Sequence, residues 1–314
     1  MGNQKIGIIG GGSGSSKFVS AFANYLPSSE DYSEAQLGFI ANVADNFWHK
    51  GLFICPDIDI TTYALARKLD LSKGWGVQSD TTSTLQAFDT VANVSSWFQL
   101  GDQDLALSIK RTEMFQKGWS LSRLTEVILR NLGIAHQIIP ATDDFLETFV
   151  LTQLGILHLQ EFWVKNKGLP TVRNIYYAGI EGALPDPRAI EFCRNKAVIC
   201  PANPITSILP IIRLKGISKI LKKSRVAGIS PFVRASAFSG PAPKLMRSLG
   251  METSSFGVAK LYSSFLKVFL VSTEEDPSTI SRIRELGIEV VQTNILVRDE
   301  ADKARISGEI AAVL

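Results

Sequence analysis

The sequence predicts an α/β fold, a parallel sheet with helices on both faces, and three observations carry that expectation. Residues 5–9, KIGII, form a short isoleucine-rich run that ends in glycines and leads into a helix-like segment from Ser15. Apolar runs this short and continuous read as strands buried on both faces. Comparable runs recur at 36–43, 197–200, 225–229, 268–272 and 289–292, separated by helical stretches. Strands alternating with helices predict a Rossmann-like, three-layer parallel sheet.

Taken in order, the first strand and its Gly10 to Gly14 turn give way to a helix, and the second strand ends in the polar loop Ala44-Asp45-Asn46. Helical patterning dominates from about Thr61 to Leu132. Within it Ser120 is placed to cap a helix whose Leu121, Leu124, Ile128 and Leu132 share a face, with Gly133 as its stop. Between about Ile134 and Tyr177 the pattern turns shorter and more strand-like. These features predict one domain over 1–314 carrying an inserted, mainly helical or mixed subdomain at about 60–177.

Composition narrows the class. The chain has 314 residues, 33 Lys and Arg against 30 Asp and Glu, and a net charge of +3. So small a surplus argues against a nucleic-acid protein, which concentrates basic residues on one face. Cys55, Cys193 and Cys200 are too few and too irregular for a disulfide framework or a zinc site. The sequence enters its first strand without a signal-type segment, and no apolar run reaches the ~18 residues that span a bilayer. A cytoplasmic protein is expected.

Four loops that follow predicted strands carry the residues suited to chemistry. Gly10-Gly11-Gly12-Ser13-Gly14-Ser15-Ser16-Lys17 joins a strand to a helix, where backbone N–H groups and the helix dipole favour an anion. It meets neither the dinucleotide fingerprint nor the Walker pattern, so a plain tight turn is the competing reading. Asp45, followed by Pro56-Asp57-Ile58-Asp59, offers carboxylates that could converge on Mg²⁺, with waters and phosphates completing the octahedron. Alternatively, Asp57 or Asp59 caps a helix starting near Thr61. Asn203 and Ser207, in the PANPITS segment, suit a purine edge or a phosphate. Ser230 and Ser239 repeat the pattern after a later strand, with Arg234 and Lys244 as candidate charges. Asp80-Thr81, Asp102, Asp104, Asp143 and Asp144 have the composition of caps and turns. The aromatic patch Gln160-Glu161-Phe162-Trp163 reads as core. In a parallel sheet the four loops fall on one edge, where ligands bind. Residues alone therefore point to a phosphate-bearing ligand with a metal.

The blocks GGGSGSSKF, NVADNFWHKGLFICPDID, GWGVQSDT, LGDQDLA, ATDD, HLQEFWV, PANPITSILPII and SGPAPKLM occur in that order. In them, from Ile8 to about Arg305, the sequence resembles the 2-phospho-L-lactate transferase family of coenzyme F420 biosynthesis. The resemblance implies a Mg²⁺-dependent enzyme, in family terms a homodimer. Its donor would be guanosine joined through a diphosphate to lactate or enolpyruvate, and its acceptor the deazaflavin alcohol FO. The acceptor hydroxyl would attack the phosphorus nearer the acid and release GMP. Carried over by position, Gly10, Gly11, Gly12, Ser13, Gly14, Lys17, Asn203, Ser207, Ser230 and Ser239 would surround the guanosine diphosphate. Asp45, Asp57 and Asp59 would hold the metal, with Asp45 and Asp59 catalytic. Asp59, Gln99, Trp48, Asp80 and Thr81 would lie about the deazaflavin.

This chain departs from the family pattern in places. The first loop more commonly reads GGTGTPKL, a second acid often stands at Asn46, a basic residue at Gln99 and a glycine at Leu209. Two alternatives are weighed against the transferase. A related family of nucleotide-sugar-binding regulators, of the gluconeogenesis-factor type, shares the fold, but its second loop typically runs Ala-Asp-Asp-Gly-Gly-Ser. An NAD-dependent dehydrogenase would need the fingerprint that Ser15 interrupts.

Overall fold

The structure, a computed structural model, describes residues 4–28, 32–233, 236–237 and 240–314. Strand β1 (Lys5–Gly10) is buried along almost its whole length and runs into helix α1 (Gly12–Tyr25). Strand β2 (Gln36–Ala41) follows, then a hairpin of β3 (Phe47–His49) and β4 (Leu52–Ile54). Lys50 and Gly51, both at positive φ (51° and 77°), make the two-residue turn whose twist suits such a hairpin. Helices α2 (Pro56–Leu65), α3 (Ser83–Ala92), α4 (Asp102–Gln116) and α5 (Leu121–Asn131) come next. Ser120 caps α5 as expected, its Oγ accepting from Arg123 N at 3.3 Å, and Gly133 lies at φ 69° beyond its end. Leu132 is exposed rather than on the buried face, because the helix stops one residue before it.

Strand β5 (Gln137–Pro140) precedes a three-stranded antiparallel sheet of β6 (Glu147–Thr152), β7 (Gly155–His158) and β8 (Val172–Ala178) in the order β7-β6-β8. Between β7 and β8 lies a π-helical turn, Glu161–Lys165. Helix α6 (Pro187–Cys193) and strand β9 (Lys196–Ile199) lead to a second π-helical turn, Pro204–Ile208. Helices α7 (Leu209–Ile212) and α8 (Ile217–Leu221) then reach β10 (Arg225–Ile229) and the short pair β11 (Phe232–Val233) and β12 (Ser236–Ala237). The chain closes with α9 (Ala242–Ser248), α10 (Ser255–Tyr262), β13 (Val268–Ser272), α11 (Pro277–Glu285), β14 (Glu289–Thr293) and α12 (Glu300–Val313).

The central sheet has seven parallel strands in the order β14-β13-β10-β9-β1-β2-β5. Strand order reverses between β1 and β9, and the crevice beyond their carboxyl ends is where such sheets bind ligands. One extended apolar cluster joins the sheet to its helices. A smaller cluster of Phe47, Ile54, Leu85, Leu100 and Leu105 lies under α3 and α4. The insertion expected at about 60–177 is not one piece. β5 is the edge strand of the main sheet, and α2 packs on α1 beside it, so the added material divides into segments before and after β5. A four-residue edge strand with a proline at its end carries too short an apolar run to announce its sheet from sequence.

Gly7 and Gly38 are register partners on β1 and β2, and together they set how closely α6 lies on the sheet. A Cβ at Gly38 would stand 2.6 Å from the Phe192 ring, and one at Gly7 would stand 2.7 Å from Cys193 Sγ. Gly38→Ala is therefore expected to cost about 1–3 kcal/mol of stability, read as a lower urea midpoint at unchanged m-value. Adding Phe192→Leu should recover part of the loss. Gly308→Ala on α12, where a Cβ meets nothing within 4 Å, should instead stabilise slightly.

Candidate active site

A cavity of about 360 Å³ opens beyond the carboxyl ends of β1 and β9. Gly11 to Gly14 line it from the first loop, Asp45 from the loop after β2, and Asp57 and Asp59 from the first turn of α2. Asn203, Thr206 and Ser207 line it from the π-helical turn after β9. The loops predicted to meet at one edge do meet there.

Asp57 joins these pieces. Its Oδ1 accepts from Gly12 N at 2.8 Å, at the N-terminus of α1, and its Oδ2 accepts from Asn42 Nδ2 at 2.8 Å. Asn42 in turn accepts from Ala44 N at 3.0 Å, bracing the loop that carries Asp45. Gly12 needs its glycine, since φ is 65° there, and a Cβ at Gly11 would run into Asp57. Within the turn Ser15 Oγ takes the Gly11 N–H at 3.0 Å. Part of the expected anion cradle is thus filled by the protein's own groups, and Ser15 is the residue that breaks the dinucleotide fingerprint. Helix α2 begins at Pro56, five residues before the expected start. Asp57 and Asp59 lie inside its first turn, with no side-chain cap at Cys55.

Residues two apart on a helix face different neighbours, and these two aspartates do. Asp59 pairs with Arg111 of α4: both guanidinium Nη atoms donate to its carboxylate, Nη1 to Oδ2 at 3.1 Å. Arg111 is 1% exposed and also donates to Phe53 O at 3.2 Å. The three-carboxylate metal set Asp45, Asp57 and Asp59 is therefore split. Among the described residues no group of three or more His, Cys, Asp and Glu side chains is arranged to hold a metal ion. Asp45 and Asp57 remain electrostatic neighbours. Burial, and then the Asp57 charge, push the Asp45 carboxyl well above its ordinary range, and Asp45 Oδ1 is buried without a hydrogen-bond partner. Burial pushes Asp57 up to about 6 against the opposing bonds from Asn42 and Gly12, and burial pushes Asp59 up to about 6 against Arg111.

The remaining walls are largely apolar and aromatic: Ile54, Ile60, Trp75, Phe98, Leu100, Leu159, Trp163 and Val164, with Gln99, Gln160, Tyr63, Asp104, Gly240 and Pro241. Gln99 lines the cavity as expected. Trp48 does not line it; it is half exposed and packs on Phe53 and Phe115. Asp80 and Thr81 are also elsewhere. Asp80 accepts from Gln103 N at 3.0 Å, and Thr81 donates to Asp102, so both serve the start of α4. Lys17 and Gly10 stay outside, Gly10 packed against Ser15 and Cys200. Ser230 is fully buried, bonded to Phe232 N at 3.1 Å and to Ser255 Oγ at 2.8 Å. Ser239 and Arg234 lie outside the described residues. Lys244 donates to Leu169 O at 2.9 Å. Of the patch read as core, Phe162 is fully buried, but Gln160 and Trp163 line the cavity. Arg111 and Tyr63 carry no site signal in the sequence beyond the i, i+7 spacing of Asp104 and Arg111 on α4. Thr206 and Trp75 stand within the PANPITS and GWGVQSDT segments without a role of their own.

Comparison with known proteins decides the family. The family model described as 2-phospho-L-lactate transferase CofD matches residues 6–308. The chain belongs to the 2-phospho-L-lactate transferase family. It is 35% identical to a 2-phospho-L-lactate transferase of Methanococcoides burtonii, over 98% of each chain. Against that of Methanosarcina mazei the figure is 34%, over 96% of this chain and 98% of the relative. Against that of Methanopyrus kandleri it is 33%, over 99% and 98%. Among solved structures, a Bacillus halodurans protein of the UPF0052 family superposes with a TM-score of 0.63 at 15% identity, covering 99% of both chains. That likeness speaks to the fold. As a CofD-type transferase, the chain is an enzyme whose cavity lies at the edge its fold class predicts. No helix among the described residues is long and apolar enough to cross a membrane.

The raised carboxyl of Asp57 has a consequence for stability. A carboxyl whose folded pKa of about 6 exceeds its unfolded value of 3.8 contributes fully below pH 3.8, and that contribution is lost as pH rises through 6. Urea denaturation of the metal-free protein should show this contribution falling between about pH 4 and 6 and levelling off above, with a limiting slope of about 1.4 kcal/mol per pH unit per titrating carboxyl. Asp57→Asn should flatten that dependence.

Proposed function

We propose that this transferase moves a 2-phospholactyl or enolpyruvyl phosphate group from a guanosine diphosphate-linked donor to the deazaflavin alcohol FO. The reaction would release GMP and form the glutamate-free coenzyme F420 precursor or its dehydro form. The observation that carries the reading is the charge of the cavity. Asp45, Asp57, Asp59 and Asp104 line it, and none of its described lining residues is Lys, Arg or His. A diphosphate entering such a site meets carboxylates, so its binding calls for a cation. The orphaned Asp45 Oδ1 and the neighbouring Asp57 fit Mg²⁺, which takes one or two protein carboxylates and leaves its other positions to water and phosphate. When bound, Mg²⁺ would supply charge neutralisation at the diphosphate.

The chain's own residues would do the rest by positioning, which dominates phosphoryl-type transfer. Ser13, Gly14, Thr206 and Ser207 would hold the nucleotide diphosphate at the switch point. Asn203 Oδ1 is spent on Ile205 N at 3.0 Å, while its Nδ2 is buried without a partner and is available to an acceptor atom on the donor. Trp75, Phe98 and Trp163 offer flat apolar surface to a planar ring. The ribityl oxygen would form a bond to the phosphorus bearing the acid while the bond from that phosphorus to the GMP oxygen breaks. An aspartate would take the hydroxyl proton. The cytoplasmic location and the homodimer implied by the resemblance belong to the same proposal.

The assay is direct. Purified protein with FO, Mg²⁺ and the phospholactyl or phosphoenolpyruvyl donor is expected to release GMP. Omission of Mg²⁺ should stop release, and Asp45→Asn should reduce it by at least 10²-fold with the fold intact by circular dichroism. GMP release that persists in chelator would sink the metal-bridged reading.

A further inference from the structure

Helix α4 buries a polar stripe. Asp104, Ser108 and Arg111, at i, i+4 and i+7, are 7%, 0% and 1% exposed. Opposite them α2 presents Asp59 and Tyr63, also at i and i+4 and also buried. Four of the five line or touch the cavity wall: Asp59, Tyr63 and Asp104 directly, and Arg111 through Asp59. A polar seam between two helices is a poor way to stabilise them, because a buried ion pair seldom outperforms apolar packing of the same volume. Its geometry is nevertheless specific. Arg111 places two parallel donors on one carboxylate, the most directional arrangement available to these groups. A third bond, to Phe53 O, ties the guanidinium to β4, and Thr112 Oγ1 accepts from Phe53 N at 2.8 Å.

Resting on the function proposed above, we propose that Arg111 is a positioning residue for the acceptor: it fixes the Asp59 carboxylate at the α2–α4 wall to receive the incoming hydroxyl, and so keeps Asp59 out of the cation site. The division of labour follows from the helix. Asp57 turns toward the Gly12 N–H and Asn42, beside Asp45. Two positions on, Asp59 turns toward Arg111. A carboxylate whose charge a guanidinium already neutralises at both oxygens is a weak competitor for Mg²⁺, whereas the neutral Gly12 N–H and Asn42 amide leave the charge of Asp57 uncompensated. It keeps lone pairs for a neutral hydroxyl donor. Asp45 and Asp57 are left as the cation's ligands.

Two measurements on Arg111→Met, Arg111→Lys and the double variant Asp59→Asn/Arg111→Met test this. The first is Mn²⁺ binding, followed by electron paramagnetic resonance with no substrate present. The second is the kinetic split between FO and the guanosine-linked donor. Arg111→Met is expected to raise KM for FO or lower kcat at least tenfold, with the donor KM within about twofold of wild type and the Mn²⁺ affinity unchanged or raised, since Asp59 is then free to reach the cation. Arg111→Lys should recover part of the FO-dependent loss. Should Arg111→Met fail to fold, the double variant removes both charges and is expected to bind Mn²⁺ like wild type. A tenfold loss of Mn²⁺ affinity in either variant, or a loss shared equally by donor and acceptor, overturns the proposal. An absence of turnover by the wild-type protein with FO and both donors would count against the proposed reaction instead, and Mn²⁺ binding would still decide whether Asp59 is a ligand.

Discussion

One carboxylate holds the site together. Asp57 accepts the Gly12 N–H at the start of α1 and the Asn42 amide at the end of β2, while itself standing on the first turn of α2. Hydrogen bonds to a charged acceptor contribute about 1.5–3 kcal/mol each, and these two join three segments that are remote in sequence. They also consume part of the anion-binding capacity of the α1 N-terminus. A phosphate that approaches the turn meets Asp57 already there, and Asp45 close enough for its charge to be felt.

Charge then governs what the cavity accepts. Its described lining holds four aspartates and no basic side chain, and the guanidinium of Arg111, behind Asp59, is committed to that carboxylate. Under the proposed function, an anionic donor would depend on a cation for its place. This is a different solution from the lysine-bearing phosphate loops of nucleotide hydrolases, where the protein supplies the positive charge. The tryptophan-bearing part of the lining would, under the same proposal, suit a substrate with a flat, neutral ring.

Much of this was legible beforehand, for identifiable reasons. The strands at 5–9, 225–229 and 268–272 are continuous apolar runs ended by small residues, and such runs fold as buried parallel strands almost regardless of context. Once those strands are parallel, the loops carrying Gly11, Asp45 and Asn203 must share an edge. Several residues expected at the site lie off the cavity, each held by a partner that is distant in sequence. Trp48, Asp80 and Thr81 sit in the right stretch of sequence, but their side chains serve the packing of the added helices and not the cavity. Ser230 follows a strand as expected, yet its hydroxyl is absorbed by Ser255 and Phe232. Arg111 looks like one more charge on an ordinary surface helix until α2 is laid against it.

The sequence by itself determined the α/β class, the edge where the cavity opens and, through eight ordered blocks, the family, because strand periodicity and motif order are local properties of the chain. Tertiary structure alone decided how the carboxylates divide. Asp57 and Asp59 are two residues apart in sequence, and only the packing of α2 between α1 and α4 turns one to a glycine N–H and the other to a buried guanidinium.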